Sequence, residues 1–319
     1  MTAMTSGRRL SAYLAVAGGC AVLALAVWKI TGTGDTGAMP AGKPAVEKSA
    51  APAPGPDPLD PVLKVLGHGG TPLELENAIG VLDTMRRVRT ELTVRQHAAL
   101  LAALERGTPA KMSNGSWAHI FNSACNVLAK TQAVPDKGLL DLLERVALHD
   151  PRLVMRLYAL QHIGCRYDAA GPDDRQRLRE LVRGMLTDPA SKTAGTALVL
   201  WRSWEKSAGP GDVSSLESGR AIVADAGRPV DVRVTALHAI GDDPGVLELA
   251  RAIAPDRTQP LLLRKAALNL IGRHGTEPDL TLLRLCGRES PRLAQAGDPA
   301  ARVLKDRLAG IPQPVLQPY

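Results

Sequence analysis

Aromatic side chains are nearly missing from this sequence. They make up 3% of its 319 residues, with a single Phe. Sheet cores favour aromatic and β-branched residues, so a β-sandwich is a poor fit. Hydrophobic residues still reach 45%, mostly Ala, Leu, Val and Ile, a mix suited to close helix packing. Cysteine is scarce too. Of the four, Cys20 lies in an apolar run, and Cys125, Cys165 and Cys286 have no short-range spacing. That argues against a Cys-rich metal site. The three read first as free, buried small residues. A disulfide such as Cys125 with Cys165 is the alternative in an oxidising compartment. The seven histidines form no His-x-x-x-His or Glu-x-x-His pair. His162 and His238 fall inside apolar-patterned helices. No glycine-rich phosphate loop, no Gly-x-Ser-x-Gly elbow and no convincing carboxylate pair is found. The sequence therefore nominates no catalytic residue, metal ligand or cofactor. The net charge of +7 is mild and spread along the chain, so no nucleic-acid partner is expected.

What is present begins with one long apolar run. Leu10 to Trp28 is 19 residues without a charge. As a helix rising ~1.5 Å per residue, it is roughly matched to a ~30 Å hydrocarbon core. Arg8 and Arg9 precede it, and Lys29 follows. The positive-inside rule then keeps the N-terminus cytoplasmic. A cleaved signal peptide usually has a shorter apolar core with a small-x-small site close behind; here Thr36-Gly37-Ala38 lies well past the run. A lipidated Cys20 is a further alternative, although an apolar stretch follows it where a polar tether would be expected. The reading is a 1–9 cytoplasmic tail, a transmembrane signal anchor at 10–30, a Pro/Ala/Gly-rich linker at 31–57, a folded region at 58–310 and a Pro-rich tail at 311–319. The linker's composition cannot bury enough apolar surface to offset its ordering entropy.

The folded region repeats itself. "VMRLYALQHIG", "VDVRVTALHAIG" and "LLRKAALNLIG" align on Ala159, Ala236 and Ala267. Arg156, Arg233 and Arg264 stand three residues before. Ile163, Ile240 and Ile271 stand four after, followed by Gly164, Gly241 and Gly272. Residues four apart share a helix face, so Ala and Ile predict one buried stripe. The glycines are expected to end each helix in the left-handed conformation. A short turn and a second apolar-patterned helix follow each copy, over 173–187, 244–254 and 278–288. Weaker copies centre on Ala124, Ala197 and Ala301. The steps between alanines are 35, 38, 39, 31 and 34 residues, irregular as when insertions sit in turns. An irregular helical bundle is the alternative to a true array.

These residues carry a resemblance. "VDVRVTALHAIG" is similar almost throughout to the Asp-x-x-Val-Arg-x-x-Ala-x-x-Ala-Leu-Gly helix of HEAT-like repeats, in the short bacterial form named for phycobilin lyases. The resemblance covers roughly residues 71–309 and is strongest over 150–288. It implies an all-α fold: an armadillo-like α-solenoid of about six HEAT-like helix pairs, here preceded by one N-terminal transmembrane helix. It also implies that Arg156, Arg233 and Arg264 bond to acidic or carbonyl groups of neighbouring repeats, a structural role shared with Ala159, Ala236 and Ala267.

One surface feature stands out. In "DDRQRLRELVRGML", Arg175, Arg179 and Arg183 fall at i, i+4 and i+8, opposite an apolar stripe of Leu178, Leu181, Val182 and Met185. Asp173-Asp174 reads as an N-cap with favourable dipole placement. Arg251 and Arg284, on later second helices, would extend the basic patch. Trp201 and Trp204 read as packing residues, Trp201 in place of the core Ile. The functional expectation is a non-enzymatic scaffold or adaptor, single-pass in the inner (cytoplasmic) membrane. Its repeat domain would be periplasmic and would bind an envelope protein, with acidic side chains if the arginines face the groove. The alternative is a lyase-like or other enzyme of the same repeat class, acting on a bound ligand. A cytoplasm-active reporter fused at the C-terminus should stay dark, and a periplasm-active one should light up. The reverse pattern overturns the orientation, and a mature chain beginning at Cys20 or Met39 overturns the anchor.

Overall fold

A computed structural model of the chain describes residues 57–88, 91–130, 137–208 and 213–311. The expected anchor at 10–30 with Cys20, the tail 1–9, the linker up to residue 56 and the C-terminal tail from residue 312 lie outside the described residues. No helix among the described residues is long and apolar enough to cross a membrane.

The described chain is all-α: fourteen helices and no strand. They are α1 (Asp60–His68), α2 (Pro72–Val88), α3 (Val94–Glu105), α4 (Asn114–Lys130), α5 (Lys137–His149), α6 (Leu153–Arg166), α7 (Pro172–Thr187), α8 (Ala194–Ala208), α9 (Ser215–Ala224), α10 (Val230–Ile240), α11 (Val246–Ile253), α12 (Leu261–His274), α13 (Asp279–Glu289) and α14 (Pro291–Leu308). A single 3-10 turn, Tyr167–Ala169, follows α6. The chain divides into two compact units after Val146.

In the first unit α2 packs on α1 and α4, while α3 packs on α1 and α4. The weaker copy at Ala124 lies on α4, with Ala124 and Leu128 both buried. Trp117 and Phe121 lie one turn apart there, both buried, with ring centroids 6.2 Å apart. Helix α3 starts at a capping box: the Thr93 hydroxyl accepts from the Gln96 amide while the Gln96 side chain accepts from the Thr93 amide. Gly69, at φ 73°, ends α1 in a conformation that a Cβ would strain.

The second unit is built on the copied helices. Helix α6 packs on α8, α8 on α10, α10 on α12 and α12 on α14. The intervening helices α7, α9, α11 and α13 each pack on the copied helix that follows them. Ala159, Ala197, Ala236 and Ala267 have no exposed surface, nor do Ile163, Ile240 and Ile271. The last copy sits one residue earlier than its spacing suggests. Ala300, not Ala301, is buried on α14, with Leu304 four residues on.

Of the three motif glycines only Gly241 ends its helix, and it does so without the expected left-handed turn. Gly164 and Gly272 lie inside α6 and α12, and Gly241 follows α10 at φ −65°. None is left-handed. Each marks a point where the next copied helix comes very close. A Cβ on Gly164 would collide with Leu200 of α8, one on Gly241 would lie 2.6 Å from Leu270 of α12, and one on Gly272 would lie 2.8 Å from the Ala300 backbone of α14. The α8–α10 contact uses Gly195 instead, whose Cβ would lie 2.9 Å from the Val232 carbonyl oxygen. Every step from one copied helix to the next therefore has a glycine on its earlier member.

Two of the motif arginines bridge neighbouring helix pairs within the second unit. Arg233 and Arg264 are buried at the same position of α10 and α12. Arg233 Nε donates to the Val223 carbonyl at 2.8 Å, in the last turn of α9. Arg264 Nε donates to the Ala254 carbonyl at 2.9 Å, just past α11. Each guanidinium thus satisfies a carbonyl that a helix end leaves unpaired, at the negative end of the helix dipole. The other edge reaches forward, Arg233 to Gln259 Oε1 at 2.8 Å and Arg264 to Glu289 Oε2 at 2.9 Å. Arg156 departs from this pattern. It is half-buried, and its Nε is buried without a hydrogen-bond partner.

The glycine contacts give a paired test. Gly272→Ala should lower stability by ~1–3 kcal/mol through overpacking against a backbone that cannot yield. Gly184→Ala, exposed on α7 with open space around it, should raise it by ~0.5–1 kcal/mol through helix propensity. Urea unfolding of the full chain would measure both. Equal responses would show that Gly272 is not a contact residue.

Candidate functional site

The arginine stripe and the nearby aromatics meet in one cleft. Helix α7 begins after Gly171 with Pro172 at its first turn, where the missing N–H costs nothing. Asp173 and Asp174 follow within that turn and do not cap it; Gly171 holds the N-cap position without a side-chain bond. Their carboxylates favour the dipole, and Asp174 pairs with Arg177 at 3.0 Å. Leu178, Val182, Met185 and Leu186 are buried, with Leu181 half-buried. That phase turns Arg175, Arg179 and Arg183 towards a cleft of about 450 Å³, together with Gln176 and Glu180, across from Tyr167 and Trp201.

The cleft is backed by aromatic rings. Tyr167, in the 3-10 turn, stacks on Trp204 of α8 with centroids 4.1 Å apart and planes at 14°. Trp201, one turn before Trp204, donates its Nε1–H to the Val213 carbonyl at 2.8 Å. All three rings are buried, so the packing reading of the tryptophans holds, while a face of Trp201 also forms a cleft wall.

Two of the guanidinium groups are held by this aromatic backing. Arg175 Nε donates to the Tyr167 carbonyl at 3.0 Å, and its Nη2 donates to the Asp168 carbonyl. Its Cζ lies 5.9 Å from the Tyr167 ring centroid. Arg179 Cζ lies 4.9 Å from the Trp201 centroid, and its Nη1 donates to the Tyr167 hydroxyl at 3.4 Å. A cation over an aromatic face gains ~0.5–2 kcal/mol, more as it loses water. A guanidinium has five N–H donors, so both side chains keep donors beyond these bonds. No carboxylate pairs with Arg175 or Arg179 among the described residues.

Tyr167 is the residue that sequence reading overlooked. Its signal was a departure from the repeat: the corresponding positions, three residues after the motif glycine, hold Pro244 and Gly275.

The other two nominated arginines are placed elsewhere. Arg284 stands exposed on α13 and does not line the cleft. Arg251 does not extend the patch, because its guanidinium is committed. Its Nε and Nη2 donate to the two carboxylate oxygens of Asp279 at 2.8 and 2.7 Å, and Nη1 reaches Glu248 at 2.5 Å. Asp279 opens α13 and also accepts from the Thr276 amide at 2.7 Å. Arg251 is thus a clasp between α11 and α13.

Among the described residues Cys125, Cys165 and Cys286 form no disulfide, and no group of three or more His, Cys, Asp or Glu is placed to hold a metal ion. His162 is buried, and burial lowers the pKa of the half-buried His238, helped by Arg273. Comparison of the chain with family models, curated proteins and solved structures gives no match.

The Arg251–Asp279 clasp makes a pH prediction. Its hydrogen bonds, led by Arg251 and aided by Thr276, hold the Asp279 carboxyl below its ordinary 3.8. A depressed carboxyl stabilises the fold fully above that ordinary value and loses its effect as pH falls through the folded pKa. Asp279→Asn should therefore be less stable than wild type at pH 7, and the two should converge towards pH 2 in urea unfolding. A gap that stays constant down to pH 2 would rule out the clasp as its source.

Proposed function

We propose that the chain is a non-enzymatic adaptor that binds another protein of the cell envelope through a helical-repeat surface. In this reading its helix pairs form a HEAT-like α-solenoid. The 10–30 segment holds it at the inner membrane, and residues 31–319 face the extracytoplasmic side. The supporting observation is the unbroken succession of copied helices α6, α8, α10, α12 and α14, each packed on the next. Such a succession grows by adding pairs, because each pair leaves an apolar face that only the next can cover. It yields a long continuous surface, suited to holding a macromolecule. The Pro-rich linker, about 27 residues over 31–57, would let that surface search a zone near the bilayer.

One observation favours the ligand-acting alternative. The cleft volume of about 450 Å³ falls within the range of small-molecule pockets. Its lining supplies three guanidinium groups, one carboxylate and one amide. That set suits holding an anion better than moving a proton.

Proximity labelling from the extracytoplasmic side separates the two. The full chain should enrich specific envelope proteins over a control carrying only residues 1–57. No enrichment, together with a tightly bound small molecule in the purified chain, would replace the adaptor with the alternative.

A further inference from the structure

We propose that the α7 cleft is the recognition site for an extended acidic segment of the partner protein, with carboxylates on alternate residues. This rests on the adaptor reading and names the chemistry of its site.

Charge comes first. Arg175, Arg179 and Arg183 line the cleft against one carboxylate, Glu180. The positive charge is also fixed in place. Arg175 is tied to two backbone carbonyls, and Arg179 lies between the Trp201 face and the Tyr167 hydroxyl. Groups already ordered by the fold lose little freedom on binding, which raises affinity. Arginine's planar fork donates two parallel hydrogen bonds to a carboxylate.

Spacing selects the ligand's conformation. Arginines four apart on a helix repeat every ~6 Å, from the 1.5 Å rise. Alternate side chains of an extended strand, on one face, repeat every ~6.6 Å. An extended segment with acidic residues at every second position therefore matches the stripe over its whole length.

The aromatic backing argues against nucleic acid. Proteins that bind single strands offer open ring faces on which bases stack. Here Trp204 stacks on Tyr167, Arg179 covers Trp201, and Tyr167, Trp201 and Trp204 are each at most 3% exposed. No ring face is left for a base. The rings serve to hold the guanidinium groups.

The test uses the full chain in nanodiscs and a fluorescent peptide of four Glu-Thr repeats, blocked at both ends, followed by anisotropy. Saturable binding is expected, weakening as salt rises. It should drop at least tenfold in both Arg179→Gln and Arg179→Lys, the second of which keeps the charge and loses the fork. Exposed Arg292→Gln on α14 should leave it unchanged, whereas replacing every peptide Glu by Gln should abolish it. Circular dichroism checks the fold of each variant. No binding, binding indifferent to both Arg179 variants, or tighter binding of a ten-residue oligothymidylate would overturn the acidic-segment site. The adaptor reading is judged separately. If wild type and Arg179→Gln label the same envelope proteins, the adaptor stands and the cleft is not where it binds its partner.

Discussion

The second unit depends on how closely successive copied helices approach one another. Ordinary helix axes sit 8–10 Å apart, set by the side chains between them. At each step here a glycine on the earlier helix meets a side chain or backbone of the later one: Gly164 with Leu200, Gly195 with Val232, Gly241 with Leu270, Gly272 with Ala300. The fully buried alanines of the same helices permit the same approach. The glycines make room either for a backbone or for a leucine side chain of the next helix, and the long polar side chains lie at the flanks. There the buried Arg233 and Arg264 answer the helix-end carbonyls that the intervening helices leave unpaired. The packing and the arginine bonds are parts of one arrangement, since bringing the copied helices together also brings each intervening helix end beside a motif arginine.

Much of this was legible in the sequence because helical phase is local. The Ala–Ile spacing marked the buried stripe, and the second helices at 172–187, 246–253 and 279–289 fall close to the ranges their apolar patterns suggested. What phase does not report is the neighbour. A glycine at the end of an apolar pattern looks the same whether it turns the chain or admits another helix. Ala300 and Ala301 are equally small, and only the facing Gly272 distinguishes them. Arg251 resembled a free surface charge until its long-range partner Asp279, 28 residues on, was placed beside it. Asp173 and Asp174 suited a cap by type, but Gly171 occupies that position.

The cleft shows a complementary rule. Residues that obey the repeat build the array, and residues that break it build the candidate site. Trp201 stands where the three strong copies have isoleucine, Tyr167 stands where the other two strong copies have proline or glycine, and α7 alone among the described helices carries arginines at three successive turns of one face. In a chain whose repeats are specific for fold and silent about purpose, the exceptions are the informative positions.

The placement of Arg179 over Trp201 also has an optical consequence. Of the four tryptophans, one lies in the 10–30 segment, one is Trp117 in the first unit, Trp201 borders the cleft, and Trp204 stacks behind it on Tyr167. A cation against an indole face shifts the energy of its excited state. Drawing that guanidinium towards a bound carboxylate would change the emission of Trp201, so the protein carries a built-in fluorophore for the occupancy of its own cleft.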